Sequence, residues 1–407
     1  MKKFHSLVLS ALLIGAVVTS CSDSGEPAEA KVDVTVSNTL PDDFTGAAVS
    51  SASMTFTELN TRQSSTFTFD GADAVWEIDL APGLYDYTGE INYTSTLPDG
   101  SEKAWRLRAV GNSVNVVRST AITPSWFKAS LNSEGLIISE IYATGSPKAD
   151  GKSGLRDAYI RIYNNSSETL YADGLGFVES DFTNSTASDY QILTPANDRS
   201  VNFTVGAVWV IPGNGQDVPI APGEYITIAD QAIDWSEQVS GALDLTGADF
   251  EWYDNHAMDT DNPAVANLDK WFSYSATIWI MNNQCLKSYA LVRFPQGTTA
   301  ESYLAGYKGE YDYISTTGSQ MHKSKAYLIP NGWIIDGVNL SNSEQFVRGA
   351  LAPSIDSSYA SVSDKKSDPN RFGRKFVRKT SYTAPDGRVV LQDTDDSAAD
   401  FQLVSVK

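Results

Sequence analysis

Residues 136–142, LIISEIY, set Leu136, Ile138, Glu140 and Tyr142 against Ile137, Ser139 and Ile141. Residues 159–163, YIRIY, repeat the pattern, with Tyr159, Arg161 and Tyr163 against Ile160 and Ile162. A period of two marks β-strands, and Asn164-Asn165-Ser166-Ser167 behind the second run is turn chemistry. Helical periodicity is not sustained anywhere; residues 233–245 read as one short helix at most. These patterns predict an all-β chain.

Similar runs divide it. Residues 31–130 carry alternating Val32, Val34 and Val36, then Met54 and Phe56, Phe67 and Phe69, and Trp76, Ile78 and Leu80. Ile91 and Tyr93, Trp105 and Leu107, Val114 and Val116, and Ile122 continue the series. That spacing predicts a small immunoglobulin-like or transthyretin-like sandwich of about seven strands. Leu80-Ala81-Pro82-Gly83-Leu84-Tyr85 reads as a Pro-Gly turn in which Gly83 takes a positive φ. Residues 124–135 form a junction to a larger sandwich, 136–407, interrupted by polar insertions at 144–158, 179–200, 231–275, 296–325 and 340–372. Loops beyond about 12–15 residues are usually functional or disordered, so these insertions point to a binding surface.

Residues 1–20 place Lys2 and Lys3 before an apolar run, LVLSALLIGAVV, too short to cross a bilayer comfortably and laid out like a signal peptide. Val18-Thr19-Ser20-Cys21 resembles a lipobox, which implies acylation of Cys21 and attachment to a membrane. Residues 21–30, with Asp23, Glu26 and Glu29, read as an acidic tether and resemble the export signal of surface-exposed outer-membrane lipoproteins. Without residues 1–20, 28 Lys and Arg face 50 Asp and Glu. Such an acidic chain repels phosphates and argues against nucleic acid as a partner. Cys285 is then the single unmodified thiol, its surroundings are strand-like, and burial in a core is its expected place.

Several short motifs resemble known families. The I-S-E-I-Y and Y-I-R-I-Y-N-N strands, Ala221-Pro222-Gly223-Glu224-Tyr225, Trp333-Ile334-Ile335-Asp336-Gly337-Val338 and the 393–401 ending are similar to a lamin-tail domain. The L-x-P-G-x-Y turn at Leu80–Tyr85 resembles carboxypeptidase regulatory-like domains. As a whole the chain resembles the lipoprotein family called domain of unknown function 4876. That likeness implies two sandwiches and a membrane address, and no chemistry.

The densest polar constellation is WYDNHAMDTDNP, residues 252–263. Asp254, Asp259 and Asp261 are candidate oxygen ligands for calcium and His256 a candidate nitrogen ligand, although the spacing departs from an EF-hand and a turn held by Asx hydrogen bonds is the simpler account. Trp252, Tyr253 and Trp271 crowd the same insertion and are candidate ligand contacts, with core packing as the alternative. The run KKSDPNRFGRKFVRK, residues 365–379, reads as an edge strand guarded by charge; an anionic ligand or the acidic turn at 393–396 are its other possible partners. H-E-x-x-H, G-x-S-x-G, P-loop and dinucleotide motifs are missing, and no cofactor is implied. The sequence therefore points to a non-enzymatic surface lipoprotein, an accessory to an outer-membrane receptor barrel of a TonB-dependent uptake system. Its ligand would be a metal or metal chelate, or a glycan if the chain is an adhesin; a hydrolase with a dispersed site is the third reading.

Overall fold

The computed structural model describes residues 31–40, 48–61, 63–96, 102–129, 135–151, 154–185, 190–191, 199–314, 318–344 and 346–406. Residues 1–20, expected to be a leader, and residues 21–30, expected to be a tether that starts at Cys21, lie outside the described residues, as does part of the 179–200 insertion. The chain is all-β and divides between Leu131 and Asn132 into two compact units.

In the first unit the described strands are β1 (Val32–Ser37), β2 (Ala48–Glu58), β3 (Ser64–Phe69), β4 (Val75–Leu80), β5 (Gly83–Thr96), β6 (Glu102–Val116), β7 (Thr120–Ile122) and β8 (Phe127–Ala129). A three-stranded sheet, β4-β1-β7, faces a five-stranded one, β3-β2-β5-β6-β8. Val34, Val36, Met54, Phe56, Ile78, Ile91 and Leu107 fill the space between them. The expected alternation holds, except that Val114 and Val116 extend β6 rather than forming a strand of their own. Gly83 is not in the left-handed region. A Cβ there would meet the Tyr85 ring at 3.0 Å, so close approach rather than handedness favours glycine. Gly223, in the corresponding Pro-Gly turn of the second unit, does take φ +77°.

The second unit opens with β9 (Leu136–Tyr142), β10 (Tyr159–Asn164), β11 (Leu170–Tyr171), β12 (Leu175–Ser180) and β13 (Tyr190–Gln191). Next come β14 (Asn202–Val210), β15 (Pro219–Ile220), β16 (Tyr225–Ala229), β17 (Phe250–Glu251), β18 (Ala266–Asn267) and β19 (Asp269–Ser273). After β20 (Ser288–Arg293) follow α1 (Ala300–Gly306), β21 (Lys308–Ile314), β22 (Gln320–Pro330), β23 (Ile334–Ser341) and β24 (Ala360–Ser361). The last elements are β25 (Arg374–Arg378), β26 (Thr380–Thr383), β27 (Val389–Leu391), α2 (Ser397–Asp400) and β28 (Phe401–Ser405).

Among the described residues a seven-stranded sheet, β18-β17-β16-β10-β9-β25-β28, faces a nine-stranded one in which β14, β12, β20 and β23 are central. Ile138, Ile160, Ile162, Ile228 and Phe376 of the first meet Phe177, Trp209, Leu291 and Val338 of the second. Each large side chain buried there contributes about 1.5–3 kcal/mol. The alternation read from β9 breaks midway. Arg161 pairs with Glu140 but Ile162 pairs with Ile138, so a bulge at Ser139 reverses the parity. Leu136, Ile138, Ile141 and Ala143 thus join one core cluster, while Tyr142 joins another with Tyr159.

Both sheets carry covers on their outer faces, which is where most of the insertions go. Ala232, Leu245 and Val265 of the 231–275 insertion pack with Tyr142 and Tyr159. Tyr303 of α1, Tyr311 and Ile329 of the β21–β22 hairpin, and Leu351 pack with Val178, Val208 and Val292. Helix α1 lies in an insertion that reads as loop; Thr299 and Ser302 start it by a reciprocal capping box. Of the helix expected at 233–245, only a single 3₁₀ turn forms, Trp235–Glu237. Gly241, at φ +86°, ends that stretch.

Candidate functional site

The 231–275 insertion holds most of the sequence candidates. Trp252 follows β17 and continues its alternation, so its ring enters the core between the two sheets and is fully buried. It stacks on Phe177 with centroids 6.3 Å apart and meets Trp279 edge-on at 5.3 Å. Trp252 is a core residue, which corrects its reading as a ligand contact. Trp271, on β19, is half-buried against Phe294 at 4.6 Å and Tyr303 at 6.0 Å. Tyr253 is half-buried as well. The three rings therefore form no common platform.

The acids of the same segment are engaged by protein groups. Asp254 is buried; one oxygen pairs with Lys270 and the other accepts the Trp279 N–H at 2.6 Å. Asp259 accepts from Arg156 Nη1 at 2.7 Å, from Gln231 Nε2 at 3.0 Å and from the Asp254 N–H at 2.8 Å. Arg156 also grips Asp230, whose carboxyl burial pushes up against the pull of that guanidinium. His256 Nδ1 accepts the Met258 N–H, and Asp261 accepts from Asn267. Among the described residues no three His, Cys, Asp or Glu side chains converge on a point where a metal would sit. The Asp254, His256, Asp259 and Asp261 constellation is thus a braced turn. Its ion pairs tie the 144–158 loop, through Arg156, to the 231–275 insertion.

The basic run meets a similar fate. Strand β25 lies between β9 and β28, so it is an interior strand and not the guarded edge that its charge suggests. Lys375 donates to Glu140 at 2.7 Å and to Tyr159 Oη at 2.9 Å. Arg371 Nε donates to the Asn283 carbonyl at 2.9 Å. Arg378 is buried and pairs with Asp336 at 2.7 Å, Asp393 at 3.0 Å and Asp400 at 3.4 Å, while its Nε donates to the Ile138 carbonyl at 2.7 Å. Burial opposes the Arg378 charge, but the three carboxylates outweigh it and hold its pKa above the usual value. Burial likewise drives the Asp393 carboxyl up, with Arg378 opposing and Asp336 and Asp400 adding repulsion. The acidic turn at 393–396 is therefore the partner of this run. The two described histidines bond to backbone or carboxylates; His322 Nδ1 lies 2.8 Å from Asp312. Cys285 is fully buried.

A hollow that the sequence did not single out lies where β9 begins, β20 ends and β23 begins. Leu136, Leu170, Tyr171, Arg293 and Ile335 line it together with Gly135, and its volume is about 410 Å³. Tyr171 and Ile335 are each 37% exposed, apolar surface left open by the fold. Arg293 closes one side. Its Nη1 donates to the Asp173 carbonyl at 2.7 Å and its Nη2 to the Tyr171 carbonyl at 2.8 Å. Burial lowers the pKa of this guanidinium and the charge of Asp173 only partly offsets that. The Asp173 carboxylate itself accepts from the backbone N–H groups of Gly215, Asp217 and Val218. The available sequence signal was an arginine closing an apolar strand, SYALVR, opposite the exposed Ile335 of the WIIDGV motif.

No curated protein matches the chain. It is similar to a crystal structure of a DUF4876 family protein from Bacteroides thetaiotaomicron VPI-5482, with a TM-score of 0.55 and 22% identity over 91% of this chain and 94% of that one. That likeness speaks for the fold. Residues 221–407, from the Pro222-Gly223 turn through the Arg378 cluster to β28, match the family model described as protein of unknown function, DUF4876. The chain is thus similar to the DUF4876 family, by sequence over residues 221–407 and by fold over most of its length.

Proposed function

We propose that the chain is a non-enzymatic lipoprotein, anchored through Cys21 and displayed at the outer membrane, that binds a ligand or partner on behalf of a TonB-dependent uptake system. One observation carries this reading. The groups best suited to chemistry, Asp254, Asp259, Lys375 and Arg378, are committed to internal braces, while apolar surface and a cation stay open in the Leu136–Arg293 hollow. A rigid scaffold with an open concave patch suits binding without turnover. The lipobox-like Val18-Thr19-Ser20-Cys21 supports the address. Several acyl chains, each methylene contributing about 0.8 kcal/mol, would hold the chain at a membrane lastingly.

Affinity isolation of the tagged chain from membranes tests the uptake role. The expected result is stoichiometric recovery of an outer-membrane β-barrel. Isolation free of any barrel would count against it. An adhesin role predicts instead that the soluble portion binds a glycan array and that Trp271→Ala weakens that binding.

A further inference from the structure

We propose that the hollow formed by Leu136, Leu170, Tyr171 and Ile335 binds an amphipathic anion, its carboxylate on Arg293 and its apolar chain against those four side chains. The proposal deepens the binding role above by naming a ligand class, and it rests on that reading only for its biological purpose.

A guanidinium has five N–H donors. Arg293 gives two of these to the carbonyls of Tyr171 and Asp173, which neutralise nothing, so its fork retains donors for a ligand oxygen. Among the described residues no carboxylate stands within ion-pair distance of it, and the nearby Asp173 turns its oxygens to three backbone N–H groups. A half-buried cation with no carboxylate in contact, its charge only partly offset by Asp173, is costly, and a carboxylate that arrives with a ligand relieves that cost through a charge-assisted bond.

Size and lining set the rest of the ligand. About 410 Å³ lies within the range of about 300–1,000 Å³ usual for small-molecule sites. The other side chains on the walls are apolar or aromatic, and Arg293 is the one cation among them. A singly charged head on a hydrocarbon or apolar side-chain body fits this lining. A phosphate ester would bring a second negative charge that the walls do not meet.

Calorimetric titration of the full chain carrying Cys21→Ser tests this, with decanoate, decanol and acetate as probes. Decanoate should bind at one site, and decanol and acetate at least about tenfold more weakly. Arg293→Gln should weaken decanoate about tenfold or more and leave decanol unchanged. Since Arg293 also braces the turn at 171–173, Ile335→Asp at the exposed rim is the second variant. It should weaken decanoate severalfold with an unchanged melting temperature. Trileucine and its C-terminal amide separate the sources of the carboxylate. Binding of free trileucine but not its amide assigns the site to peptide termini, and binding of decanoate alone assigns it to lipid acids. Equal binding of decanoate and decanol, binding of neither carboxylate, or decanoate binding untouched by both substitutions overturns the proposal. Decanoate binding in a chain that recovers no barrel would remove the uptake role and leave the site standing.

Discussion

Arg378 Nη2 stands 2.7 Å from Asp336 Oδ1, so a cation on the seven-stranded sheet is held by a carboxylate on the nine-stranded sheet. The other Asp336 oxygen accepts the Ile138 N–H at 2.6 Å, which returns the link to β9. With Asp393 and Asp400 on the same guanidinium, one residue ties β9, β23, β25 and the 393–400 turn together. Arg378→Met would leave buried carboxylates unpaired, and removing one partner of such a cluster costs about 3–5 kcal/mol. Urea unfolding of the variant checks this; an unchanged midpoint would show that the cluster is not a brace.

Trp252 and Trp271 separate a core role from a surface role. Trp252→Ala empties space between Phe177 and Trp279 and should cost about 3–5 kcal/mol. Trp271, only half-buried, should cost clearly less on the same substitution. Chemical denaturation of both variants decides the order, and the reverse order would contradict the placement of Trp252.

Burial pushes the Asp356 carboxyl up to about 7, against the hydrogen bonds from Ser397 and Asn339 and the charge of Arg348. Its ordinary value is 3.8. Between these two values the folded chain keeps a proton that the unfolded chain has released, so this group makes stability fall as pH rises from about 4 to about 7. The slope from one such group is at most about 1.4 kcal/mol per pH unit. Asp356→Asn should flatten the curve over that interval. Urea midpoints measured from pH 4.5 to 7.5 test it, and an unaltered slope would contradict the assignment.

Cys285 is fully buried, and burial pushes its thiol up to about 12. At pH 8 the folded chain should resist iodoacetamide at this position and react fully once unfolded in urea. Rapid labelling of the folded protein would place the thiol elsewhere.

Period-two runs carry the fold because each strand needs only local alternation to be recognised, as at Val32–Ser37 and Tyr159–Asn164. The limits are equally physical. A one-residue bulge at Ser139 leaves no local trace, yet it decides that Ile141 rather than Glu140 faces the core. Phe250-Glu251-Trp252 is a strand alternation in miniature, too short to stand out from its polar surroundings. Charge misleads at β25, where the neutralising carboxylates of Asp336, Asp393 and Asp400 come from distant positions and turn a guarded edge into an interior strand. The hollow is the least legible feature of all. Leu136, Leu170, Arg293 and Ile335 are far apart in the chain, and only the meeting of strand ends brings them together.

Metabolic labelling with an alkynyl palmitate, followed by protease treatment of intact cells, tests the central claim most directly. The account predicts label on the wild-type chain, its loss in Cys21→Ser, and digestion of the labelled chain from outside unbroken cells. A chain that carries no label, or that survives protease until the outer membrane is opened, would contradict a surface-anchored binding protein.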